Sequence, residues 1–309
     1  MYENKFLTGL AMLGLIGLGW FAASLPSLKP PAKEQVLQMF AGPMRVPAHT
    51  KPVDATRGVA TAIIATSTFE VPEDGWITSF APTYAGVPDQ SLRFSWLFDA
   101  SSPDPYWPNL PRVVFVMSLE KTPNVSFPPG YGYFVKKGAK LMILGGFANF
   151  TDAEYPSAVL RANVTFVPVS SGNKLGDAYP LFLNAEPASV FTIPPHTQYF
   201  EKKLKKPFVM PFNGRIVMLA SHGHKLLQQI LLTLNGKELW KTSPVHLPDG
   251  TNLGNPFYHT PFNGVPVNAG DVLDLSEIYS NPTNAITDAM SSMYIQIIPG
   301  TSTSPVMQH

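Results

Sequence analysis

Proline breaks this chain into short apolar runs. There are 32 prolines in 309 residues, and many fall between runs rich in β-branched and aromatic side chains. Runs of this length bounded by Pro, Gly, Asn or Ser read as strands joined by irregular loops. Thr61 to Val71, Leu92 to Phe98, Arg112 to Leu119, Leu141 to Phe147 and Val159 to Val167 form a first block, with no persuasive helical period among them. A break runs from Asn184 to Pro195, where Ile193-Pro194-Pro195 interrupts the pattern. Pro207 to His224, Ile230 to Leu234, Lys237 to Lys241, Val265 to Leu275 and Met293 to Ile298 form a second block. Asn235-Gly236 between two β-prone runs is the strongest short hairpin signal. The expectation is an all-β chain of two jelly-roll-like β-sandwich domains, residues 56–184 and 185–300, with a tail over 301–309.

What precedes the first block differs in kind. Phe6 to Leu25 is an uncharged apolar run closed by Pro26. At about 1.5 Å per residue it spans about 30 Å, the hydrocarbon thickness of a bilayer. Residues 1–26 are therefore expected to be a single transmembrane helix with the bilayer as partner. A cleaved signal peptide ending at Ala22-Ala23-Ser24 is the alternative; the length of the run and its weakly charged start favour the anchor. The β domains are placed on the extracytoplasmic, periplasmic side. Residues 27–55 read as a linker, with a short helix over Ala32 to Ala41 and three prolines from Gly42 to Val53. A chain 45% hydrophobic and 14% charged suits a membrane segment plus β-rich cores.

Several chemistries are excluded or unsupported. Net charge +1 provides no electrostatic case for nucleic acid. The one basic cluster, Lys202-Lys203-Leu204-Lys205-Lys206, reads as a solvated loop or strand edge. Without cysteine there are no disulfides, thiolate zinc sites or cysteine nucleophile. No Ser-His-Asp set, phosphate-binding glycine loop or paired-carboxylate signature stands out. Asn124, Asn149 and Asn163 begin N-x-Ser/Thr sequons.

Of seven histidines, two form Ser221-His222-Gly223-His224. Residues i and i+2 of a strand share a face, so this pair aims two imidazoles at one point, as a metal ion requires. Two surface histidines at a strand end is the plain alternative. A thioether added to two imidazoles favours copper, Cu(I) above all. Met290 and Met293 lead into the last strand, and spacing does not choose between them. His246 and His259 are candidates for an additional ligand, while His49, His196 and His309 read as linker, loop and tail residues.

The second block resembles the C-terminal half of the copper type II, ascorbate-dependent monooxygenases, the family of peptidylglycine α-hydroxylating monooxygenase and dopamine β-hydroxylase. The resemblance runs in order over residues 190–299. It is carried by Ile193-Pro194-Pro195, His222-Gly223-His224, the hairpin Asn235-Gly236-Lys237-Glu238-Leu239-Trp240, Val267-Asn268-Ala269-Gly270-Asp271-Val272-Leu273, and Met290 followed by Tyr294 and Ile295. It implies two jelly-roll-like sandwiches and one copper held by His222, His224 and Met290. In the first block, Arg93 and Phe94 stand where the family has a histidine pair, and Gly146 stands near its third histidine. The electron-transfer copper of the family is therefore not expected. With one copper and no second donor, three roles follow. The first is a membrane-anchored, copper-binding accessory subunit of a membrane oxidase or monooxygenase complex. The second is a single-copper monooxygenase fed by an external reductant. The third is a metal-free β-sandwich used for assembly, as viral capsid proteins use jelly rolls.

Overall fold

The structure, a computed structural model, describes residues 34–49, 63–88, 91–118, 124–149, 151–185, 191–223, 226–242, 257–259 and 264–300. The expected anchor, Phe6 to Leu25, lies outside them. Among the described residues no helix is long and apolar enough to cross a membrane.

Sixteen strands carry the architecture. The first eight are β1 (Gln35–Val46), β2 (Ile63–Glu70), β3 (Gly75–Ala85), β4 (Leu92–Pro103), β5 (Pro111–Ser118), β6 (Tyr131–Val135), β7 (Lys140–Phe147) and β8 (Tyr155–Pro168). The second eight are β9 (Tyr179–Leu183), β10 (Thr197–Lys203), β11 (Gly214–Gly223), β12 (Leu227–Leu234), β13 (Lys237–Thr242), β14 (Phe257–His259), β15 (Val272–Asn281) and β16 (Ser291–Pro299). The first set forms sheets in the order β1-β8-β3-β6 and β2-β7-β4-β5, and the second forms β9-β16-β11-β14 and β10-β15-β12-β13. Each set has the strand order of a jelly roll. Adding eight to every label of the first pair of sheets yields the second pair, so one topology occurs twice in tandem.

The alternation of each strand supplies the two cores. Leu37, Met39 and Ala41 of β1 are buried, while Val36, Gln38 and Phe40 are exposed. On β15, Leu273, Leu275, Glu277, Tyr279 and Asn281 point inward. Several strands depart from alternation, β5 and β16 among them. Val113 to Val116 of β5 and Ser291 to Ile298 of β16 are buried throughout, because each lies between a core and the other sandwich. From β16, Met293, Ile295 and Ile297 pack in the second core, and Tyr294 and Ile298 pack with the first.

Several contacts among the described residues join the sandwiches. The Tyr294 hydroxyl donates to the Val114 carbonyl at 2.6 Å. The Arg112 guanidinium lies 4.2 Å over the Tyr179 ring and donates to the Pro180 carbonyl at 3.1 Å. The loop between β4 and β5 reaches across as an arm. There Asp104 accepts the backbone N–H groups of Tyr106 and Trp107 at 2.9 Å each. Tyr106 is then buried in the second core, with its hydroxyl donating to the Lys206 carbonyl at 2.9 Å. The basic cluster is thus the landing point of the arm, and Lys205 sits 5.4 Å over the Trp107 ring.

The Asn235-Gly236 hairpin joins β12 to β13 as the sequence predicts, with φ of 52° and 75° at its two turn residues. The segment expected to hold a short helix and linker is instead β1, antiparallel to β8 from Gln35↔Phe166 to Val46↔Tyr155. Gln, Leu and Met are good helix formers, so local propensity misleads here. Pairing with β8 and burial of one face decide the outcome.

Candidate functional site

Strand β11 runs antiparallel to β16, with His222 opposite Ser292 and Gly223 opposite Ser291. Met290 immediately precedes that last partner. The structure therefore brings the end of the His222 strand beside the residue before β16. Ala220 and Tyr294 face the first sandwich, and by strand alternation His222 and Ser292 continue that row. His222 is half-buried. His224 and His246 lie outside the described residues. His259 is opposite Leu219, three positions back along β11 from His222. Among the described residues, no three His, Asp or Glu side chains gather as a metal cluster.

The other face of the same strand ends holds a polar group that sequence reading missed. Ser221 and Ser291 are each 1% exposed and share the inward face with Leu219 and Met293. Glu277, fully buried, projects from β15 between Leu275 and Tyr279. Among the described residues neither Glu277 carboxyl oxygen nor the Ser221 hydroxyl has a hydrogen-bond partner. The Tyr279 hydroxyl bonds the Ser291 hydroxyl. Burial raises the Glu277 pKa to about 7, opposed by Ser291 and by the charge of Lys202. Burial also pushes the Tyr279 hydroxyl well above its usual range, with the Glu277 carboxylate adding to the shift. The clue available in the sequence was a lone Glu on the apolar parity of β15.

In the first sandwich, β4 and β7 place Phe94 opposite Gly146. These are two of the positions that the family resemblance assigns to a second copper, and neither can ligate one. A side chain on the adjacent Gly145 would place its Cβ 2.7 Å from Leu160 Cδ2, so this part of the sheet is closely packed.

Two residues read as bland in the sequence belong to a duplicated hydrogen-bond cluster. In the first sandwich, Asn149 Nδ2 donates to the Pro47 and Ala153 carbonyls at 2.8 and 2.7 Å. Its Oδ1 accepts the Thr151 N–H and hydroxyl at 3.0 and 2.8 Å. In the second, Asn281 Nδ2 donates to the Pro194 and Ala285 carbonyls at 3.0 and 2.9 Å. Its Oδ1 accepts the Thr283 N–H and hydroxyl at 3.1 and 2.7 Å. The N–H groups of His49 and His196 donate to the carbonyls of Thr151 and Thr283, both at 3.1 Å. Both histidines have left-handed backbones, with φ of 45° and 55°. The common pattern is Pro-x-His before the second strand of each sandwich and Asn-x-Thr-x-Ala before its last. Asn149, which begins a sequon, is 1% exposed and fully engaged.

No family model matches the chain, and no curated protein matches it. Solved structures share its β architecture at low identity. The major capsid protein P2 of bacteriophage PM2 is 10% identical over 87% of this chain and 100% of that one, with a TM-score of 0.37. PNGase F, a glycosylasparaginase from Flavobacterium meningosepticum, is 7% identical over 89% and 100%, with a TM-score of 0.43. A chain of Sulfolobus Turreted Icosahedral Virus is 9% identical over 89% and 92%, with a TM-score of 0.40. At these identities and TM-scores the likeness assigns neither a family nor a role to this chain.

Proposed function

We propose that this protein is a structural building block that assembles with copies of itself into a protein layer tied to a bilayer by Phe6 to Leu25. Jelly rolls serve as capsid, lectin and cupin domains, and the first of these uses is assembly of many copies. The carrying observation is the weld between the sandwiches. The β4–β5 arm, the Tyr294 hydroxyl and a core that runs from one sandwich to the other make them one load-bearing unit. Exposed Val36, Phe40 and Ile64 lie on β1 and β2, the outermost strands of their sheets, where a second copy can dock. The test is sedimentation of the full chain in detergent. A defined oligomer is expected, and a monomer at every concentration would overturn the reading.

A second reading keeps the metal. The His222↔Ser292 register, with Met290 just before β16, supports a copper ion held by His222, His224 and Met290. Such a site would make the chain a copper-binding accessory subunit of a membrane oxidase or monooxygenase complex, or a single-copper monooxygenase with an external electron donor. Copper content of the Cu(I)-loaded chain, beside the double variant His222→Ala/His224→Ala, tests it. Equal copper in both rejects the site.

A further inference from the structure

We propose that Glu277 is a protonation switch built into the second sandwich, neutral when that sandwich is tight and loosening one end of it when it ionises. The inference rests on where the carboxyl sits, not on the assembly reading. Glu277 is fully buried on the central strand of a sheet, between Leu275 and Tyr279. Its register partners are Ile230 on β12 and Lys202 on β10. Among the described residues neither carboxyl oxygen is hydrogen-bonded, and Ser291 is the hydroxyl beside it. A carboxylic acid tolerates such a site far better than a carboxylate, because only the charged form loses its hydration.

The surroundings explain why charge is poorly supported there. Among the described residues Lys202 is the cation acting on Glu277, and its ammonium lies 5.3 Å over the Phe191 ring. Tyr279 is the other titratable neighbour, and its proton is held by burial and by Glu277 itself. The inward positions of β12, β11 and β16 nearby are Ile230, Ser221 and Ser291, which carry no charge. The Ser221 hydroxyl is unpartnered, and Ser291 is engaged with Tyr279. Ionisation releases the proton to solvent and leaves an anion beside the Ser291 hydroxyl, which must turn from Tyr279 or admit water. Ser291 opens β16, opposite Gly223 at the end of β11.

The sign follows from the raised pKa. Between the ordinary carboxyl range and about 7, the folded chain holds a proton that the unfolded chain has lost. Stability is therefore greatest in mild acid, falls as pH rises through this window, and levels off above it. The folding constant should drop by on the order of a hundredfold across the window.

The experiment is denaturant unfolding of the full chain from pH 5 to 9, wild type beside Glu277→Gln. The expected result is a wild-type decline absent from the variant, with the variant the more stable of the two at pH 8. Parallel profiles would overturn the proposal. A second measurement needs no variant: the carboxyl resonance of Glu277 in carbon-13-labelled wild type. Titration near neutrality, with faster amide exchange in β15 and β16 on the basic side, supports the switch. Titration in the ordinary carboxyl range overturns it.

Discussion

Asn149 and Asn281 hold equivalent places in the two sandwiches, their side-chain amides donating to the carbonyls of Pro47 and Pro194 at 2.8 and 3.0 Å. Each ties the turn before the last strand of its sandwich to the corner after the first. Truncation removes both donated bonds and both accepted ones at a buried side chain together. Asn281→Ala should cost about 2–4 kcal/mol, and Asn149→Ala a similar amount. Asn281→Asp should be worse, because a carboxylate would face the Ile193, Pro194 and Ala285 carbonyls that now accept from Nδ2. Urea titrations of the single variants measure this. A loss no greater than that of an exposed Asn→Ala control would remove the clusters from any stabilising role.

The arm between the sandwiches makes a separate prediction. Tyr106 is 3% exposed, within the core of the sandwich that it does not belong to. Tyr106→Phe removes the hydroxyl's bond to the Lys206 carbonyl and the one it accepts from the Lys206 N–H, and should cost about 1 kcal/mol. Tyr106→Ala empties an aromatic site and should cost about 3–5 kcal/mol. It should also split unfolding into two steps in calorimetry, as the sandwiches lose their joint.

Self-assembly predicts a surface phenotype without a folding phenotype. Phe40 is 52% exposed on β1, so Phe40→Lys should leave the thermal midpoint within a few degrees. The same change should shift the sedimentation profile toward smaller species. An unchanged oligomer places the contact elsewhere on the molecule.

If copper is bound, Met290 provides the soft ligand. Met290→Leu keeps the volume of the side chain and removes the thioether. It should weaken Cu(I) retention against a chelator while leaving the circular dichroism unchanged. Retention equal to that of wild type would take Met290 out of the ligand set.

Much of the β architecture was legible before any coordinates. Short β-branched runs, proline punctuation and Asn235-Gly236 specify strands and a hairpin through local sterics, and β2, β7 and β8 fall close to where those runs predict them. Strand β1 was hidden because Gln35–Val46 is built largely from helix-tolerant residues, and only its partner β8 makes it a strand. The duplicated jelly-roll order was hidden too, since strand order is a property of long-range pairing. The Asn-x-Thr-x-Ala repeat carries no local signal beyond the Asn149 sequon, because its role is to bond the Pro-x-His corner across the fold.

The sequence by itself determined the all-β character and the place of His222 beside Gly223 near a strand end, but not the boundary between the blocks, since Tyr179–Leu183 pairs with the last strand and Gln35–Val46 joins the first sandwich. The first two follow from side-chain shape, backbone restriction and the two-residue period of a strand, all local in the chain. Tertiary structure alone decided that Glu277 is sealed in a core, that Tyr106 crosses into the other sandwich, and that Phe94 meets Gly146. Those outcomes depend on which surfaces are removed from water when distant strands stack. That is a sum over the whole fold, which no short stretch of sequence contains.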